Sequence, residues 1–303
     1  MDTPGPLEPK AEGEIPHTPL APPAGFPAVS THFTLGSFEL DVDPPFAFGS
    51  FGAICVAKDS ATQERYALKS APLHRRSLWE AEILSEVTSP FVLRVYGSWS
   101  DVSKQVHHIL LELCDGTLAG YLGERDEASV MAIFAQIICG VQALHAHGIV
   151  HCDLKPQNVL FVRNQSVVPF IKLADLGSSQ RIDVAIGPKH EGTLAFLAPE
   201  CILGAPASFA SDVWGLGCIL YSLCTGSPPF DGAIGVLIAG ISTATYTPLR
   251  RDLFSAELIF LVDSMLTVSP SSRATIADIF SSPLLATSLQ FLSELYEGQA
   301  SHL

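Results

Sequence analysis

Between residues 33 and 113 the chain is built of short apolar runs separated by turn residues; after Asp115-Gly116 it turns helical. This change of texture limits the fold more than any other feature. The runs at 33–42, 53–57, 66–69, 92–99 and 107–113 have strand length and strand chemistry. In 127–147, by contrast, Val130, Ile133, Phe134, Ile137, Ile138, Val141 and Leu144 recur at helical spacing, and Gly148 stands where a C-terminal cap belongs. A second helix is expected over 211–224 with Ser211 as its N-cap, and further helices over 255–267, 274–280 and 283–296. No internal repeat is visible. The expected class is α+β, a small strand-rich half followed by a larger helical half.

Composition removes several alternatives. Hydrophobic residues make up 48% of the 303 and charged residues only 16%, which excludes wholesale disorder. Seventeen basic against 31 acidic side chains give a net charge of −14, with no basic stripe, so nucleic acid is not an expected partner. No apolar run is expected to approach the 18 residues of a membrane span, Trp214–Cys224 being among the longest, and Met1-Asp2-Thr3-Pro4 does not open like a signal peptide; no membrane insertion is expected. The seven cysteines are scattered and form no C-x-x-C pair, which points to a reducing compartment, cytoplasmic or nuclear. Residues 1–32 hold eight of the 22 prolines and no apolar periodicity. They read as an extended arm, open to regulatory protein binding or to modification at Thr3 or Thr18, the plain alternative being an unmodified tail. Residues 33–290 then form the expected domain, its strand-rich part ending near 113, and 291–303 a tail.

Three stretches carry chemistry. Ala47-Phe48-Gly49-Ser50-Phe51-Gly52 lies between strand-like runs, where glycines let a backbone approach a phosphate; a hairpin with no ligand fits that pattern too. Tyr66-Ala67-Leu68-Lys69 sets a lysine on a strand among apolar neighbours. The most specific stretch is His151-Cys152-Asp153-Leu154-Lys155-Pro156-Gln157-Asn158-Val159-Leu160, directly after the long helix. It is followed by Leu173-Ala174-Asp175-Leu176-Gly177, Gly192-Thr193, Ala198-Pro199-Glu200, Ser211-Asp212-Val213-Trp214-Gly215 and Ser272-Arg273. In order and spacing these resemble the eukaryotic protein kinase domain over roughly residues 38–285.

The resemblance implies a bilobal fold, ATP and Mg²⁺ as cofactors, and a protein substrate. Lys69 would hold the α- and β-phosphates and pair with Glu80 on the small lobe's helix, although Ser77-x-x-Glu80 also reads as a capping box. Asp153 would accept the proton of the substrate hydroxyl, Lys155 would neutralise the γ-phosphate, and Asn158 and Asp175 would hold Mg²⁺. Ala47, Gly49 and Gly52 correspond to the phosphate lid. Ile54, Ala67 and Leu160 would line the nucleotide pocket, with Leu111 at its back and the backbone of Glu112 and Cys114 at the adenine edge. Glu200 and Arg273 correspond to a structural ion pair. Lys155 and Thr193 imply a serine/threonine acceptor. His145, His147, His151 and Cys152 suggest zinc, but no second ligand pair follows at zinc spacing.

The departures from the family pattern are informative. Ala47 replaces the first lid glycine, Leu176 the usual Phe, and Gln157 a carboxylate that some kinases use for a substrate arginine. Cys152 replaces the arginine that normally binds a phosphorylated activation loop, and residues 180–192 contain no Ser, Thr or Tyr. Receptor and acceptor are missing together, so this loop is expected to be ordered by unmodified contacts, with Ile182, Val184 and Ile186 packing inward and Asp183 and Glu191 meeting basic groups. The absent arginine and Asp-Leu-Gly also resemble the Wee/Myt kinases, which restrain cyclin-dependent kinases in the cell cycle, whereas Gly192-Thr193 and Ala198-Pro199-Glu200 do not. Ala47 and Cys152 leave open a pseudokinase scaffold.

Overall fold

The computed structural model describes residues 32–35, 38–49, 52–123, 125–164, 168–183 and 193–297. The arm before His32, with Thr3 and Thr18, lies outside the described residues, as do Val184, Ile186, Glu191 and Gly192.

The run 33–42 is two strands rather than one. β1 (His32–Leu35) turns back on β2 (Phe38–Val42), with Leu35 opposite Phe38. A single ten-residue strand would have left half of its large side chains facing water, whereas the hairpin folds Phe33, Leu35 and Phe38 onto the same small core. β3 (Ala47–Gly49) and β4 (Gly52–Asp59) form the next hairpin, and β5 (Arg65–Pro72) pairs with β4. The helix α1 (Arg75–Glu86) follows, then β6 (Val95–Asp101) and β7 (Val106–Glu112). The sheet runs β1-β2-β4-β5-β7-β6, antiparallel throughout, with β3 set beside β4. β6 starts at Val95 rather than 92, because Val92 and Leu93 turn instead to Leu173, three residues past the start of a later strand.

Side chains alternate across this sheet. Leu40, Cys55, Tyr66, Leu68 and Leu110 fill one face, while Ala67, Ile109 and Leu111 join the main core on the other, together with Ile83 and Leu84 of α1. Lys69 shares the parity of Ala67 and is therefore carried toward α1.

The second half contains β8 (Gly116–Thr117), α2 (Glu127–Ala146), β9 (Ile149–Val150), β10 (Val159–Val162), β11 (Phe170–Leu173) and β12 (Gln180–Arg181). It continues through α3 (Pro199–Ile202), α4 (Phe209–Thr225), α5 (Ile234–Thr243), α6 (Ala256–Met265), α7 (Ile276–Phe280) and α8 (Pro283–Glu297). α2 ends at Ala146, and Gly148 takes the positive φ (69°) that such an end favours. α4 begins two residues before the expected start. Its N-cap is Ser208, and Ser211 sits one turn in, returning its hydroxyl to the Ser208 amide as the other half of a capping box. α5 has no counterpart among the expected helices: it is apolar almost all round, so no periodicity marks it, and only Ile241 is buried.

α2 also corrects the expectation about spans. It is long and apolar enough to cross a membrane by length and composition, because Gln136 and its small residues interrupt the apolar run without lowering its average. In the fold it is the central core helix, with Val130, Phe134, Ile137, Ile138, Val141 and Leu144 fully buried. A Cβ on Gly140 would come within 2.9 Å of the Phe91 carbonyl and 2.8 Å of Leu173, so only glycine lets α2 lie this close to β11.

One buried group gives the first half a pH dependence. The His108 ring is stacked on Trp99 at 4.9 Å and its Nδ1 lies 2.8 Å from Ser70 Oγ. Burial pushes its pKa down to about 4, against a smaller upward pull from Asp101. An imidazole that stays neutral when folded but is protonated in the unfolded chain contributes stability in full above about pH 6.5, its usual value, and loses it as the pH falls toward about 4. The urea midpoint should fall across that window, and more shallowly in His108→Gln. Equal slopes for the two proteins would show that His108 does not carry the effect.

Candidate active site

Four strands place the first group of residues in one row. Ala47 is opposite Ile54, Ile54 opposite Lys69, and Lys69 opposite Ile109; one step along, Val56 is opposite Ala67 and Ala67 opposite Leu111. Ala67 and Leu111 are buried, Ala47 and Ile54 half-buried, and Leu160 on β10 is half-buried as well. Gly49 faces Gly52 across the hairpin end, and a Cβ on Gly52 would meet the Ser70 carbonyl at 2.8 Å. Glu112 ends β7 and pairs with Lys172 at 3.0 Å. Among the described residues no hydrogen bond takes the amide of Cys114.

Lys69 meets Glu80 and Asp175 in the interior. Its ammonium donates to both Glu80 oxygens, at 2.6 and 2.7 Å, and to Asp175 Oδ1 at 3.2 Å. Burial alone would lower Lys69, but the carboxylates of Glu80 and Asp175 outweigh it and hold the ammonium above its ordinary value. Burial would raise Asp175, and Lys69 outweighs that in turn, keeping this carboxyl below its usual range. Glu80 is not a cap. The N-cap of α1 is His74, whose side chain accepts from the Ser77 amide while Ser77 Oγ receives the His74 amide, so the helix end is satisfied without Glu80.

The catalytic-loop residues form a second cluster. Lys155 Nζ donates to Asp153 Oδ2 at 2.7 Å and to Thr193 Oγ1 at 3.1 Å. Asn158 Nδ2 donates to the Asp153 carbonyl at 2.8 Å and to Oδ2 at 2.9 Å, and the Thr193 amide donates to Oδ1 at 3.3 Å. Asp153 is buried and receives four hydrogen bonds from three donors, of which one is cationic.

What holds the loop itself is Asp212 of α4. Its oxygens accept from the amides of His151 at 2.8 Å and Cys152 at 3.0 Å, and the other ring of this group, His145, places Nε2 at 2.8 Å. Cys152 adopts a left-handed backbone (φ 68°), which presents its amide and its neighbour's to one carboxylate. Burial pushes the Cys152 thiol far up, and its Sγ donates to the Val150 carbonyl, so the position carries no cation. The histidines of the suggested zinc group are used otherwise: His145 by Asp212, His147 by the Ala143 carbonyl at 2.8 Å, His151 by the Asp153 amide.

The donor set suits a Mg²⁺ ion. Asn158 has its nitrogen turned to Asp153, leaving the amide oxygen as the hard donor, and Asp175 stays ionised at a left-handed turn (φ 59°, ψ 58°) directly before Leu176-Gly177. Among the described residues no group of three or more His, Cys, Asp or Glu forms a metal cage. An ion that takes one carboxylate and completes its shell with phosphate oxygens and water needs none.

Glu200 and Arg273 form a bidentate pair at 2.8 Å for each contact, and Arg273 also donates to the carbonyls of Thr267, Ala210 and Val268. Two loop expectations fail. Ile182 is half exposed, because the β12 pairing ends at Arg181 and the chain then turns outward, and Asp183 makes no ion pair among the described residues.

Residues 46–285 match the protein kinase domain family. The chain belongs to the protein kinase family. This kinase is 33% identical over 242 residues to the serine/threonine-protein kinase RUNKEL of Arabidopsis thaliana, a match covering 76% of this chain and 17% of that protein. It is 30% identical over 270 residues to mitogen-activated protein kinase kinase kinase 17 of the same plant, covering 84% and 71%. Against the sucrose non-fermenting protein kinase 1 of Fusarium virguliforme it is 34% identical over 299 residues, covering 92% and 41%. The kinase thus spans less than half the length of two of these three relatives.

Contacts between α1 and residues 178–181 of this kinase have no motif in the sequence. Arg76 donates to Ser178 Oγ, Trp79 Nε1 to the Ser179 carbonyl at 2.8 Å and its Oγ at 3.1 Å, and Arg181 to Glu86. The only linear signal was that Arg76, Trp79, Glu80 and Glu86 fall on one helical stripe.

Proposed function

We propose that this chain is an ATP- and Mg²⁺-dependent kinase that phosphorylates serine or threonine hydroxyls of proteins without needing a phosphate on residues 180–192. The observation that supports it best is that the Lys69–Glu80–Asp175 cluster and the Lys155–Asp153–Asn158–Thr193 cluster are both fully assembled. A scaffold that had lost the chemistry would have no reason to keep both.

In this reading residues 33–290 are the catalytic unit. Ala47, Ile54, Ala67, Leu111 and Leu160 enclose the adenine, the backbone of Glu112 and Cys114 meets its polar edge, and Gly49 and Gly52 cover the phosphates. Lys69, oriented by Glu80, offers its ammonium to the α- and β-phosphates. Asp153 orients the acceptor hydroxyl and takes its proton as the oxygen attacks the γ-phosphorus, while the bond from that phosphorus to the β,γ-bridging oxygen breaks and ADP leaves. Lys155 lies against Asp153 and meets the charge that builds on the transferred group. Asn158 and Asp175 would hold Mg²⁺, whose contribution when bound is to neutralise the phosphate oxygens. Thr193, bonded to both Lys155 and Asp153, sits where an acceptor hydroxyl would be aligned and supports serine/threonine choice. The seven cysteines are free thiols, in keeping with a cytoplasmic or nuclear place.

Purified chain incubated with labelled ATP, Mg²⁺ and a peptide library should label serine or threonine. Phosphatase-treated enzyme should retain most of that activity, with no stable phosphate mapping between positions 180 and 192. A large loss on dephosphorylation, mapped to that segment, would overturn the phosphate-independent part. No labelling in either sample would overturn the kinase reading itself.

A further inference from the structure

In a kinase of this construction the Lys69–Glu80 pair exists only while α1 lies against the cleft, so something must keep it there. Here the place of the phosphate-binding arginine is taken by Cys152, a neutral thiol. The structure supplies a different fastening. From α1, Arg76, Trp79 and Glu86 reach residues 178–181 on the far side of Asp175, more than 90 residues away in the chain. Trp79 lies next to Glu80, and its indole N–H is taken by Ser179 through both carbonyl and hydroxyl. The Arg181 guanidinium bonds Glu86, seven residues beyond Trp79 on the same stripe, and lies 5.9 Å from the Trp79 ring centroid. The Arg76 and Glu80 side chains lie directly over Gly177, where a Cβ would stand 3.1 Å from Arg76 Nε and 3.6 Å from Glu80 Oε2.

The receiving segment is itself anchored. Ser179 Oγ donates to the Leu176 carbonyl at 2.6 Å, Gln180 and Arg181 pair with Val150 and Ile149, and the Ile182 amide donates to the Gly148 carbonyl at 2.9 Å. Val150 directly precedes the His151–Asp153 loop. The contacts therefore form one strap from Glu80's helix to the strand that leads into the catalytic loop.

We propose that this strap, with Trp79 and Arg181 as its positioning residues, holds α1 in the pairing position and does the task that a loop phosphate does elsewhere. The inference rests on the kinase reading above. Trp79→Phe keeps an aromatic ring, though a smaller one, and removes the donor. Arg181→Glu sets like charges against Glu86, and adding Glu86→Arg restores an ion pair with its polarity reversed. The readouts are the Kd of Mg-ATP by direct binding, the separate KM values for ATP and peptide, and the urea midpoint.

Loss of one such contact should raise Kd and KM for ATP by about three- to tenfold. The KM for peptide and the urea midpoint should stay nearly unchanged, which a purely structural role would not give. The charge-swapped double variant should return to within about twofold of wild type, and in a Glu80→Gln background neither single change should add anything further. If Trp79→Phe also lowers the urea midpoint, the charge swap at the half-exposed Arg181–Glu86 pair decides. Unchanged ATP parameters in Trp79→Phe and Arg181→Glu, a swap without rescue, or full additivity with Glu80→Gln would overturn the strap. A wild-type chain that binds no Mg-ATP would overturn the kinase reading, and the strap with it.

Discussion

Asp153→Asn should lower kcat by about 10²–10⁴-fold, the range over which a positioned base contributes. Mg-ATP affinity should stay within a few-fold of wild type. The asymmetry follows from geometry: Asp153 receives Lys155 at 2.7 Å, Asn158 at 2.9 Å and the Thr193 amide at 3.3 Å, and it makes no contact with Lys69 or Glu80. An asparagine amide cannot take up a proton, and its NH₂ would face cationic or donor groups that now find an acceptor. Rapid-quench turnover with direct measurement of nucleotide binding separates the two quantities. Near wild-type turnover would remove Asp153 from the role of base. A parallel loss of nucleotide affinity would mean that the substitution had disturbed the cleft.

The largest stability loss is expected from Asp212→Ala. Three donors converge on this buried carboxylate, two of them main-chain amides that have no other acceptor in the loop. Removing one member of a buried charged network leaves the others desolvated and unpaired, at a cost of about 3–5 kcal/mol. The urea midpoint should fall accordingly, and turnover should fall beyond what the loss of folded protein explains, because His151 and Cys152 lead straight into Asp153. Asp252, whose ion pair with Arg250 is about two-thirds exposed, is the control: Asp252→Ala should leave the urea midpoint nearly unchanged, because solvent screens an exposed pair. Equal effects at the two positions would mean that burial does not set the strength of the Asp212 contacts.

The legible parts of this protein were those in which a short stretch contains its own reason. The catalytic loop packs Asp153, Lys155 and Asn158 into six residues, and the fold brings those three into direct contact with no other element needed. α2 was visible because its core face repeats at helical spacing over five turns. Register and ends were less legible. Ser211 was expected as the cap, yet Ser208 offers the same chemistry three residues earlier, and only the backbone shows which one turns the chain into the helix. α5 escaped because a helix apolar on all sides has no period to detect.

The sequence by itself determined that a strand-rich half precedes a helical one, that the motif-bearing residues are spread over both, and that residues 180–192 contain no Ser, Thr or Tyr. Those are properties of composition, spacing and residue type. Tertiary structure decided the pairings. Ser77-x-x-Glu80 was compatible with a cap or an ion pair until His74 took the cap and Lys69, 11 residues away, took Glu80. Asp212 reaches the loop across 61 residues and Trp79 reaches Ser179 across 100. The periodicity of a helix tells which side chains leave water, because it depends on neighbours along the chain. It does not tell what they meet, because that depends on how separate elements pack, and the direction of each donor matters only once its acceptor has been brought within about 3 Å.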